Sequence, residues 1–184
     1  DGGIFRPVTL LGIETARLDS VYIRQVHKDG KVLLVPEVDV ETVDEEESEA
    51  DGYEGAQALE YQVTVTAPNG TKTIWDDCPD EMEIENPQLW WPNGLGEQPL
   101  YQVQVDLKAG DKIVDTWCRK IGLRALTMHV EKDQWGESFA HEVNGYQVFA
   151  MGADYIPEDN LLQRTSRERT RELLLQCKRA NFNT

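Results

Sequence analysis

The chain has 184 residues, of which 40% are hydrophobic and 28% charged, ordinary globular usage with room for one good core and part of another. Its formal net charge of -16 sets up a field that repels nucleic acid and anionic membranes, which excludes both as partners. No apolar run approaches the roughly 20 residues needed to span a bilayer, and no charged leader with an apolar stretch opens the chain, so a soluble protein is expected.

The opening "DGGIFRPVTLLGIE" reads as one strand entered from whatever precedes it, and residues 1–13 are expected to be the end of an upstream domain. "RLDSVYIRQV" alternates apolar and polar residues, "HKDG" turns, and "KVLLVPEVDVE" returns, with Pro36 marking an edge or a bulge. "LEYQVTVTA", "PNG" and "TKTIWD" form a second hairpin, "EMEIE" a short strand, and "LYQVQVDLK", "AGD" and "KIVDTWCRKIGLRAL" a third hairpin. About seven short strands with regularly spaced turns predict an immunoglobulin-like antiparallel β-sandwich, here over residues 14–126.

Beyond it the period changes. "SFAHEVNGYQVFAMGADYIPEDN" holds two strand-like runs around Asn144-Gly145, and "RTSRERTRELLLQCKRANFNT" turns helical. Thr165 with Glu168 three residues on predicts a capping box, and Leu173, Leu174, Cys177 and Ala180 an apolar stripe on a helix over 165–180. Strand, loop and amphipathic helix open an α/β unit whose next element is a parallel strand, so 127–184 are read as a domain begun and not finished.

Several features carry no chemistry. The acidic run over residues 39–55 lacks the EF-hand spacing, since the sixth residue counted from Asp44 is Glu49 and not Gly, and reads as a solvated loop without a metal. Cys78, Cys118 and Cys177 match no zinc spacing; reduced thiols are favoured, with a Cys78 to Cys118 bridge beside Trp117 the alternative. Asn69-Gly70-Thr71 is formally a glycosylation acceptor and primarily a hairpin turn. His27, His129 and His141 are scattered, with no Ser or Cys placed as a nucleophile beside them.

"GIFRPVTL", "LWWPNGLGEQPLYQVQV", "RKIGLR" and "VNGYQVFAMGADYIPEDN" followed by "RELLLQCKRANFNT" resemble, in order and spacing, glycoside hydrolase family 2, and the double-Trp form resembles its β-mannosidase branch. Phe5, Leu123 and Asp154-Tyr155 depart from the family's commoner residues. The resemblance implies the end of a jelly roll over 1–13, the immunoglobulin-like sandwich over 14–126, and over 127–184 the first strand and helix of a truncated (β/α)8 catalytic barrel.

It also implies a parent enzyme that is a retaining, exo-acting glycosidase with no metal or organic cofactor. Such chemistry uses two carboxyl groups about 5 to 5.5 Å apart. Family glutamates lie on later barrel strands, so no catalytic residue is expected before Thr184. Asp154, Tyr155 and Asp159 are the candidate substrate contacts, because loops after barrel strands form the active-site face. Trp90, Trp91, Pro92 and Gly94 read as an interdomain scaffold in preference to a sugar-stacking platform. Expected partners are an oligosaccharide bound by the full-length enzyme, neighbouring domains of the same chain, and another copy through helix 165–180. Alternatives are β-glucosaminidase or β-galactosidase specificity on the same fold, or a carbohydrate-binding sandwich without catalysis. The compartment stays open, since the family works in bacterial cytoplasm, periplasm and lysosomes.

Overall fold

The computed structural model describes residues 4, 7–43, 58–76, 79–156 and 158–184. Phe5, most of the acidic stretch, and Cys78 with its suggested bridge to Cys118 lie outside them. The chain divides into two units, one of residues 12–90 and 98–125, the other of 1–11, 91–97 and 126–184.

The first unit is all antiparallel β. One sheet has β2 (Lys31–Thr42) between β1 (Ala16–Lys28) and β5 (Met82–Ile84), and the other has the order β4 (Lys72–Trp75), β3 (Leu59–Thr66), β6 (Tyr101–Ala109), β7 (Lys112–Ile121). Alternate residues of β6, from Tyr101 through Val103, Val105 and Leu107 to Ala109, are buried, as period-two alternation requires of a strand with one face on a core. Tyr101, Val103, Val105 and Leu107 form one core cluster with Val63 and Val65 of β3 and, from the other sheet, Leu18, Ile23, Val32, Leu34 and Met82. Each fully buried Val or Leu contributes about 1.5–3 kcal/mol by leaving water. This is the expected sandwich.

Local chemistry sets the turns. Asp29 and Gly30 have φ of 51° and 76°, the paired positive angles of a type I′ turn whose twist suits a two-residue hairpin. Pro36 pairs with Ile23 on one side, while β5 reaches only Val32 to Leu34 on the other. At Pro36 the strand is therefore an edge, where a missing N–H costs no ladder bond.

A bulge lies in β1, between Leu18 and Ser20. The extra residue reverses which parity faces inward, so Ala16 and Leu18 are buried before it and Ile23 after it. The Leu18 N–H at the bulge donates to the Asp115 carboxylate at 2.8 Å.

Near the end of β1, Gln25 joins the strand to the segment after β7. Its Nε2 donates to the Gly122 carbonyl at 3.1 Å and its Oε1 accepts from the Arg124 N–H at 3.1 Å, with a His27 ring nitrogen 3.2 Å away. Burial lowers the His27 pKa, opposed by a hydrogen bond with the Arg124 main chain. The unfolded state then binds the proton more readily, so this contribution is present above about pH 6.5 and is lost as pH falls below it. Urea unfolding at a series of pH values is expected to show a shallower loss of stability below pH ~6.5 for His27→Gln than for the parent chain. Parallel curves would remove His27 from that dependence.

The second unit carries a meander of β8 (Leu126–His129), β9 (Ala140–Val143) and β10 (Tyr146–Val148) in the order β10-β9-β8. Asn144 and Gly145, with φ of 51° and 82°, close the β9–β10 turn. A 3₁₀ turn at Leu162–Arg164 leads to α1 (Arg167–Arg179), in which no residue is buried.

Among the described residues of 1–13 none lies in a strand, and Val8 and Leu10 are 79% and 98% exposed. Residues 149–156 lie outside the sheets as well. Their backbone instead meets Asn183, which donates its N–H to the Met151 carbonyl at 2.8 Å, accepts the Met151 N–H at 2.8 Å, and donates its side-chain amide to the Phe149 carbonyl at 3.1 Å. A Cβ on Gly152 would collide with the Thr184 carbonyl. Residues 151 and 152 thus meet 183 and 184 in the same order, as parallel neighbours do, but too briefly to form a ladder.

One expectation is corrected: Ser166 and not Thr165 caps α1, its Oγ accepting the Arg169 N–H at 3.2 Å. The Thr165 hydroxyl is already committed, donating to the Leu162 carbonyl at 2.7 Å to close the 3₁₀ turn. The capping box therefore does not form, though Glu168 still lies in the first turn, where a negative charge favours the helix dipole. Ser166→Ala is expected to destabilise the helix by about 1 kcal/mol and Thr165→Ala by less. Amide exchange over residues 167–170 checks the order.

Candidate functional site

Asp154, Tyr155 and Asp159 lie on the segment that runs from Met151 to α1, and they divide by what each carboxyl or hydroxyl already does. Asp154 is exposed and makes no hydrogen bond or ion pair with any described residue. Asp159 is half-buried and committed to its own turn: Oδ1 accepts the Leu161 N–H at 2.9 Å, and Oδ2 lies 3.8 Å from the Arg164 guanidinium. An Asp accepting the N–H two residues on is an Asx-turn, which assigns Asp159 to the entry into the 3₁₀ turn.

Tyr155 is 60% exposed, yet its hydroxyl end is held. The phenol donates to Glu158 Oε1 at 3.1 Å. Partial burial and that bond raise its pKa, keeping the hydroxyl protonated. Glu158 was not among the residues singled out by sequence, because "YIPED" carries no periodic signal that would set its fourth residue inward.

The two adjacent tryptophans fall in different units, the chain passing from one to the other between them. Each has a glycine beneath it. In the first unit the Trp90 N–H donates to the Leu123 carbonyl at 2.8 Å, and Leu89 forms an isolated bridge with Leu123. A Cβ on Gly122 would come within 2.8 Å of the Trp90 ring, and the Arg124 guanidinium lies 4.6 Å from the ring centroid. That cation–π contact covers indole surface that a sugar ring would need for stacking.

In the second unit the Trp91 N–H donates to the Glu97 carbonyl at 2.9 Å, and a Cβ on Gly96 would come within 2.8 Å of its ring. Trp91 also meets Tyr146 edge-on, with centroids 5.6 Å apart and planes at 63°. Pro92 is buried. Asn93 donates its amide to the carbonyls of Phe182 at 3.1 Å and Lys178 at 3.4 Å, acceptors at and just beyond the C-terminus of α1. Gly94 has φ of 83° and open space around it, so it serves the turn. The close-packing glycine of the bend is Gly96.

His27 lies on β1 of the first unit, and His129 and His141 on the paired strands β8 and β9 of the second. His129 lies 3.5 Å from Glu131 and 3.8 Å from Glu142, but no group of three or more His, Cys, Asp or Glu suited to a metal occurs among the described residues. Among them, too, no helix is long and apolar enough to cross a membrane.

With this geometry in hand, the likeness to known proteins is specific. The family model for glycosyl hydrolases family 2 matches residues 16–124. The chain is 35% identical over 173 residues to β-mannosidase B of Thermothelomyces thermophilus, covering 91% of this chain and 19% of that protein. It is 30% identical over 175 residues to β-mannosidase B of Aspergillus oryzae, covering 92% and 20%. The crystal structure of β-D-mannosidase from Dictyoglomus thermophilum superposes with a TM-score of 0.74 at 27% identity, over 94% of this chain and 21% of that one. A β-glucuronidase from Ruminococcus gnavus shares the fold, with a TM-score of 0.66 at 15% identity. The chain spans about a fifth of the length of the relatives it matches. Matched by the family model over more than half its length, it belongs to glycosyl hydrolases family 2.

Proposed function

We propose that the chain is a middle segment of a retaining, exo-acting β-mannosidase-like glycosidase that removes terminal β-linked mannose from oligosaccharides. The observation that carries this reading is continuity. Likeness to proteins named β-mannosidase runs for 173 residues without regard to element type, over 91% of the chain. Residues 1–13 would close an upstream jelly roll, 14–126 form the sandwich, and 127–184 open a (β/α)8 barrel.

In that setting the segment's own part is architectural. Trp90, Trp91, Pro92 and Gly94 would serve as an interdomain scaffold, each indole being packed over a glycine of its own unit. The paired carboxyl groups of double displacement would come from beyond Thr184, with no metal or organic cofactor. Asp154 would accept hydrogen bonds from sugar hydroxyls and Tyr155 line the subsite, because loops after barrel strands form the catalytic face. Asp159 would hold the loop that carries them. Leu174, 60% exposed on α1, would be covered by later barrel elements in the parent and by a second copy in the isolated chain.

Hydrolysis of aryl β-mannoside, glucoside, galactoside and glucosaminide by a polypeptide extended past Thr184 tests this, with the 184-residue chain beside it. Preference for the mannoside by the longer form and silence from the shorter is the expected result. Preference for the galactoside or glucosaminide would keep the fold and change the sugar. Activity in the short chain would overturn the architectural role, and a parent inert on every sugar would move the function toward binding.

A further inference from the structure

Glu158 is the most deeply covered charged group of the loop, its side chain only 4% exposed. A carboxylate so placed must be paired and hydrogen-bonded to keep its charge. The Thr170 hydroxyl donates to Oε1 at 2.8 Å, and the Tyr155 hydroxyl donates to the same oxygen at 3.1 Å. The Arg169 guanidinium lies 3.0 Å from Oε2 and donates through its other arm to the Glu158 main-chain carbonyl at 3.4 Å. Oε2 has that cation beside it without an aligned hydrogen bond, so the pairing with Arg169 is coulombic and the directed bonds all converge on Oε1.

The partners come from two places. Thr170 and Arg169 belong to the first turn of α1, which Ser166 caps, while Tyr155 belongs to the exposed segment before it. Glu158 is therefore the link between a rigid helix end and an exposed aromatic ring. A phenol held at its hydroxyl has lost rotation of the ring about the loop, and the ring stands where the helix puts it. Asp154, the adjacent free carboxylate, shares that backbone.

We propose that Glu158 is a positioning residue for glycoside binding, acting through Tyr155 and, by the backbone, Asp154. This deepens the β-mannosidase-like reading and rests on it. A neutral, anchored phenol can offer its ring to the apolar face of a pyranoside and its oxygen lone pair to a hydroxyl, and neither is available from a ring that swings. Because the effect is on where binding groups stand and not on the reacting bond, it belongs in KM more than in kcat.

The test uses the extended enzyme with aryl β-mannoside and four variants. Glu158→Ala is expected to raise KM about 10-fold with a much smaller change in kcat, the size that a displaced binding group commonly produces. Tyr155→Phe, which keeps the ring and removes the anchor, should reproduce part of that rise without lowering the melting temperature. The double variant should be no worse than Glu158→Ala alone, as two residues acting through one contact require. Glu158→Gln, whose amide oxygen can still accept from both hydroxyls, should recover most of the wild-type KM. A Glu158→Ala enzyme with lowered melting temperature but unchanged KM would reduce the residue to a fold-holding role and overturn the proposal. If that variant does not fold, an unchanged KM in Tyr155→Phe overturns it equally. A parent inert on all glycosides removes the underlying function with it, whereas an active parent whose variants all keep the wild-type KM removes this proposal alone.

Discussion

Trp90→Ala is expected to lower the unfolding free energy of the sandwich by about 3 kcal/mol, toward the low end for a large aromatic because the ring is only half-buried. The loss has identifiable parts. The indole gives up its contact with Gly122 and the cation–π contact with Arg124, while the Trp90 N–H to Leu123 bond remains because it belongs to the main chain. The reverse substitution beneath the ring should also hurt. A methyl at Gly122 would sit 2.8 Å from the ring atoms, and Gly122→Ala is expected to cost about 1–3 kcal/mol by overpacking. Gly96→Ala repeats this under Trp91, where the clash is also 2.8 Å. Amide exchange separates the sites: Gly122→Ala should loosen β1, β6 and β7, and Gly96→Ala should loosen β9, β10 and α1. If Gly96→Ala loosened the sandwich strands first, the assignment of the two rings to separate units would be wrong.

Asp154→Ala should do the opposite, weakening function at little cost in stability. With no partner among the described residues, Asp154 contributes nothing to hold the loop. A hydrogen bond from a sugar hydroxyl to a charged group is worth about 1.5–3 kcal/mol, so kcat/KM of the extended enzyme on aryl β-mannoside should fall by roughly 10- to 100-fold. The melting temperature should not move. Asp159→Ala is the control, since its carboxylate holds the Leu161 N–H; it should lower stability by about 1 kcal/mol and act on turnover only through the loop.

The sandwich was legible because its chemistry is local. Alternation in "LYQVQVDLK", Asp-Gly and Asn-Gly turns, and Pro36 all report their own backbone, and the hairpins formed where they indicated. The β1 bulge was not legible, since "RLDSVYIRQV" alternates plausibly in either register and only the facing sheet selects which residues turn inward. Residues 149–156 have strand composition, but a parallel strand depends on neighbours on both sides, and Asn183 supplies one short contact. At the helix start two adjacent hydroxyls competed for one cap, and the 3₁₀ turn, a detail of the chain before them, decided for Ser166.

The site was partly legible in the same sense. Asp154, Tyr155 and Asp159 could be marked by family likeness, yet nothing in their order said that one carboxylate would be free and the other used in a turn. Glu158 depends on Thr170, twelve residues away, and on Arg169, eleven away. Gly96 and Gly122 give no hint in sequence that each seats a tryptophan, because a glycine chosen for close approach looks like one chosen for a turn.

The most direct measurement is amide exchange of the extended enzyme with and without saturating mannose, read along this segment. Slower exchange at residues 153–159 with no change at residues 89–97 is the expected result, placing sugar at the Asp154 loop and leaving the tryptophan bend as scaffold. Slower exchange at Trp90 to Gly96 with none at 153–159 would contradict it, and would make the two indoles the carbohydrate site.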